Sequence, residues 1–80
     1  METSEIKKLI EDGITNAEAI VTGDGGKYEA TVISSAFEGL SMLKEHQLVY
    51  KTVNTQIASG ELHALTIKAY TPEEWEQNKS

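Results

Sequence analysis

Two imidazoles, His46 and His63, are the side chains best suited to metal chemistry in this chain, and no thiol accompanies them. Zero cysteines leaves no thiolate for nucleophilic catalysis, for redox exchange or for a self-contained zinc or iron–sulfur site. His63 shares its phase with Leu65 and Ile67, so the pattern alone places it half-buried at the start of a strand. His46 lies one helical turn before Tyr50, which favours a helix-packing role over ligation. Carboxylates are plentiful, yet none forms an acid–base pair with a nucleophile. Glu73, Glu74 and Glu76 fall on one short helix, where a solvated face and the helix dipole account for them. Ser34 and Ser35 have no histidine in useful context. The chain does not read as an enzyme.

The charge balance narrows the partners. The net charge is −6, and all seven basic residues are lysines. Without arginine there is no bidentate fork for guanine edges or phosphates, so nucleic acid is disfavoured. The string Gly23-Asp24-Gly25-Gly26 fits the G-x-x-G form that clamps nucleic-acid backbone in KH domains. Here it joins two strands rather than two helices, and Asp24 would repel phosphate. It reads as a turn using left-handed glycines.

The elements that must position these residues fit one small domain, 1–80. A chain of 80 residues buries roughly 60–65% of its unfolded surface, so its core is compact. With 39% hydrophobic and 25% charged residues, the composition is that of an ordinary globular protein rather than a disordered one. No apolar run is long enough to span a bilayer, and no basic start precedes an apolar stretch. Cytoplasmic residence is the default expectation.

Ile6, Leu9 and Ile10 form one stripe on a helix over 4–12, with Gly13 placed to stop it. β-leaning runs over 17–22 and 27–34 flank the glycine cluster as a hairpin. Ser35 and Glu38 have capping-box spacing, with a break near Gly39. Leu43, Val49, Tyr50, Val53 and Ile57 lie on one face of a long amphipathic helix over 40–58, which Gly60 ends. Residues 62–70 alternate as a strand. Thr71-Pro72-Glu73-Glu74 then opens a last helix carrying Trp75, which reads as a core or hinge contact. The order α-β-β-α-β-α predicts an α+β fold, a three-stranded sheet with helices packed on one face.

The run His63-Ala64-Leu65-Thr66-Ile67-Lys68-Ala69-Tyr70-Thr71-Pro72-Glu73-Glu74-Trp75 resembles the C-terminal signature of the BolA-like proteins, nearest their IbaG-like branch. Gly23-Asp24-Gly25, Phe37-Glu38-Gly39 and Val49-Tyr50 follow in that family's order and spacing, so the resemblance covers nearly the whole chain. It implies a fold similar to the class II KH domain and no enzymatic activity. It also implies a partner, a monothiol glutaredoxin of the Cys-Gly-Phe-Ser type, met either without metal or across a bridging [2Fe–2S] cluster. Some members are described as DNA-binding transcriptional regulators.

The resemblance makes His63 the expected ligand to a shared cluster. Such a cluster needs four terminal ligands, and two histidines without cysteine cannot supply them, so the partner must bring thiolates. The family's second ligand comes from the hairpin loop as histidine or cysteine. Here that position is Lys27, ahead of Tyr28, and a protonated ammonium is a poor iron ligand. Asp24 is the other loop candidate. Around His46 the family's flanking basic residues are Glu45 and Gln47, which neutralises a phosphate-binding patch. The expected function is a non-enzymatic adaptor in iron–sulfur cluster handling or iron regulation, a monomer or weak dimer when alone. The alternative is a DNA-binding regulator using Lys44, His46, Lys51 and Lys68.

Overall fold

The computed structural model describes residues 1–24 and 27–79; Gly25, Gly26 and Ser80, with the turn expected at the two glycines, lie outside the described residues. Helix α1 (Thr3–Gly13) buries Ile6 and Ile10 one turn apart. Its first turn is tied by the Glu2 backbone N–H donating to Glu5 Oε1 at 3.2 Å. Gly13 is the last residue of the helix rather than a left-handed stop. A Cβ there would lie 2.6 Å from Thr52 Cγ2, so the glycine is needed for close approach of another helix.

Strands β1 (Glu18–Asp24) and β2 (Lys27–Ile33) pair antiparallel, Glu18 opposite Ile33 and Asp24 opposite Lys27. Gly23 has φ +131°, and a side chain there would collide with the Lys27 carbonyl. Strand β3 (Ala64–Tyr70) runs parallel to β2, from Ala64 beside Lys27 to Tyr70 beside Ile33. The sheet order is β1-β2-β3, which leaves β3 at an edge. A parallel neighbour requires a long crossover, and helices supply it here.

The crossover is broken more often than periodicity suggests. A 3₁₀ turn (Ser35–Phe37) is capped by Ser34, not Ser35; the Ser34 Oγ accepts from the Ala36 N–H at 3.0 Å and donates to the Thr15 carbonyl at 2.6 Å. Gly39, at φ +78°, makes the break expected there. Helix α2 (Met42–Thr52) is capped by Ser41. It ends at Val53, whose φ −119° and ψ 15° leave the helix, and α3 (Asn54–Ser59) restarts before Gly60 at φ +84°. The single helix expected over 40–58 is therefore two. The Thr52 hydroxyl donates back to the Val49 carbonyl at 2.6 Å, which loosens the ladder at that turn. Burial of Val53 fixes the bend.

One face of the sheet carries the core. Ala19, Tyr28, Ala30, Val32 and Ile67 are buried there with Ile6 and Ile10 of α1, Val49 of α2, Phe37 and Leu62. Helices α1 and α2 thus form the second layer of an α+β sandwich, as expected. Helix α4 (Pro72–Lys79) follows β3 at once. Its capping box is complete: the Glu74 N–H donates to Thr71 Oγ1 at 3.2 Å, and the Thr71 N–H to Glu74 Oε1 at 2.8 Å. Trp75 is half-buried and meets Tyr70 with ring centroids 5.4 Å apart. The last helix is pinned to the end of the strand it follows.

Candidate functional site

The sheet register gathers the sequence's loop candidates at one end. Asp24 pairs with Lys27, and Lys27 with Ala64, so the three residues form a row across the strands. His63 stands one residue before that row, at the end of the sheet where β1 finishes and β2 and β3 begin. Strands lie about 4.8 Å apart, so the row is roughly 10 Å from edge to edge. Of Asp24 only the backbone is described.

His63 is exposed, not half-buried. The strand begins at Ala64, so the alternation that would tuck His63 beside Leu65 does not reach it. Its neighbour Leu62 is buried and anchors the approach to the strand, helped by its N–H donating to the Gln56 carbonyl at 3.1 Å. Leu62 and His63 are chain neighbours of opposite exposure, one buried and one open. Lys27 is likewise exposed.

His46 lies far from this row. It is half-buried and lines a groove of about 260 Å³ with Met42, Glu45 and residues 67–70. Ala64 to Lys68 alone spans roughly 13 Å of strand, so the two histidines do not share a site. Burial raises the Glu45 carboxyl above its ordinary range; the Glu74 carboxylate adds to this and His46 opposes it. The packing role expected of His46 fits this position.

The four residues of the alternative nucleic-acid surface fall in two places. Lys44 and Lys51 line a groove of about 350 Å³ with Leu40, Gln47 and Leu48. His46 and Lys68 line the other groove, where the Lys68 ammonium lies 3.5 Å from Glu29 Oε1. Among the described residues, the four line two separate grooves rather than one.

Sequence periodicity missed one surface. Leu43, Tyr50 and Ile57 share the predicted core stripe, but all three are exposed, and Met42 and Leu43 are 71% and 67% accessible. Leu43 and Tyr50 lie within unbroken α2, whose buried side is centred on Val49, so the sequence stripe is out of phase with the buried face there; only Ile57 follows the bend at Val53. The Tyr50 hydroxyl donates to the Leu65 carbonyl at 3.2 Å and so ties α2 to the strand that His63 precedes.

Chemically, this end of the sheet presents one accessible imidazole. Among the described residues no three His, Cys, Asp or Glu side chains come together to hold a metal ion.

The chain is similar to known proteins over nearly its whole length. The acid stress protein IbaG of Escherichia coli (strain K12) is 35% identical over 79 residues, covering 99% of this chain and 94% of that protein. The structure of a BolA protein homologue from Coxiella burnetii superposes with a TM-score of 0.86 at 40% identity, covering 95% of this chain and 97% of that one. The solution structure of yeast Fra2 matches with a TM-score of 0.75 at 32% identity, over 96% and 86% of the two chains. The profile of the BolA-like protein family matches residues 6–74, from the first buried isoleucine of α1 to the capping glutamate of α4. The chain belongs to the BolA-like protein family.

Proposed function

We propose that this protein is a non-enzymatic adaptor that docks a monothiol glutaredoxin and contributes His63 to a [2Fe–2S] cluster held between the two. The observation that carries this is the open position of His63 at the sheet end where the hairpin strands meet. An exposed neutral imidazole is a sound iron ligand, and histidine in place of thiolate raises a cluster's potential. The donor set fits a shared cluster and not a private one, because this chain adds no thiolate and Lys27 occupies the second-ligand position. His63 would hold one iron; Lys27 would flank the cluster as a cation without ligating it. The cluster, when present, supplies an electron-transfer or transferable iron–sulfur unit, and this chain supplies the docking surface and one ligand.

Anaerobic co-purification with such a glutaredoxin, with iron and sulfide counted, tests the proposal. The complex should carry two irons and two sulfides per pair of chains, as a [2Fe–2S] unit requires. His63→Ala should lower that content while the two proteins still associate. A complex that forms equally well but never retains iron would reduce the role to docking alone.

A further inference from the structure

The free edge of β3 is complementary to itself. The Ser34 N–H donates to the Tyr70 carbonyl at 3.0 Å, which turns the Tyr70 backbone toward β2. Backbone direction alternates along a strand, so Lys68, Thr66 and Ala64 also face β2, while Leu65, Ile67 and Ala69 direct their N–H and C=O groups outward. Exposed edges of this kind are usually blunted by proline, bulges or inward charges. Residues 64–70 contain no proline, and their one charge, Lys68, is already near Glu29.

We infer that two copies of this protein pair through antiparallel β3 edges, in a two-fold register centred on Ile67. In this register all three outward-facing residues meet outward-facing residues: Ile67 meets Ile67, and Leu65 meets Ala69 of the second copy. Each forms a hydrogen-bonded pair, and the two three-stranded sheets become one of six strands. The register is isologous, as a closed dimer requires. Thr66 of one copy then faces Lys68 of the other, so no like charges oppose each other. A carbonyl has two lone pairs, so the Leu65 oxygen can accept from the second copy as well as from Tyr50. The groove between α2 and residues 67–70 leaves open space beside the edge. His63 stays outside the paired segment, so pairing and cluster ligation are separate properties.

Charge placement supplies the test. In its own sheet Thr66 pairs with Glu29, so Thr66→Lys puts a cation beside an anion and preserves the fold. Across the dimer the same change sets lysine against Lys68 at two symmetric positions. Sedimentation velocity up to millimolar protein should show a concentration-dependent dimer, and Thr66→Lys should weaken association about tenfold. Adding Lys68→Glu to Thr66→Lys should restore association by making both contacts attractive. In the unmodified protein, amide exchange at Leu65, Ile67 and Ala69 should slow as concentration rises. A protein that stays monomeric, or a dimer indifferent to Thr66→Lys whose three edge amides exchange at a concentration-independent rate, overturns the inference.

Discussion

The two ends of the sheet are built to opposite specifications. At one end, where β2 and β3 finish, the chain closes on itself: Ser34 is fully buried and bonded to the Thr15 carbonyl, Phe37 is sealed in the core, and Trp75 rests against Tyr70. Glu11 ties α1 to the start of β1 here, accepting from the Ala19 N–H at 3.0 Å and from Lys7 Nζ at 2.7 Å. At the other end, where β3 begins, Leu62 is buried but His63, Ala64 and Lys27 are open to solvent. These buried contacts and hydrogen bonds tie the closed end together. The open end leaves Lys27 and His63 accessible from solvent.

The contrast breaks most clearly by substitution in each end. Phe37→Ala should cost about 3–5 kcal/mol in urea unfolding, since a large buried ring leaves a cavity. His63→Ala should shift the same transition by no more than about 0.5 kcal/mol, as an exposed side chain does. Comparable costs at the two positions would mean that His63 is structural after all.

Acid sharpens the contrast further. The hydrogen bond from Lys7, then that from the Ala19 backbone, hold the Glu11 carboxyl below its ordinary range. A depressed carboxylate stabilises the fold above its unfolded pKa, and that contribution is lost as pH falls through the folded value. Glu11→Gln should therefore destabilise at neutral pH by about 1 kcal/mol, with the deficit disappearing in acid. Equal deficits at neutral and acid pH in urea titrations would contradict this assignment.

Glu45 has the opposite sign and the smallest effect. Its carboxyl is raised by burial and by Glu74, so its ionisation works against the fold. The favourable protonated form is present below the unfolded pKa, and its advantage fades as pH rises through the folded value. Glu45→Gln should stabilise by a few tenths of a kcal/mol at neutral pH and by nothing in acid. A melting temperature that falls at neutral pH would reverse the sign.

Much of this was legible from residue order. The Thr71-Pro72-Glu73-Glu74 box opens α4 as written, because capping is local chemistry that three side chains settle. The hairpin strands and β3 follow their alternation. The bend at Val53 was not legible, since the heptad pattern continues through it and only tertiary burial of that valine fixes the break. Gly13 was legible as special but for the wrong reason; its need is contact with Thr52, which no local rule encodes. At the site, the identity of His63 was visible but its exposure was not. Strand alternation predicts half-burial for it, and the strand starts at Ala64, two residues later than the expected start at Leu62.

Visible circular dichroism of the anaerobically reconstituted pair with a monothiol glutaredoxin tests the role of the open end most directly. Replacing His63 with alanine should abolish or reshape the cluster bands, and Lys27→His, which adds an imidazole at the family's second-ligand position, should strengthen them. A His63→Ala complex whose spectrum matches that of the unmodified pair, band for band, would show that His63 does not ligate the cluster.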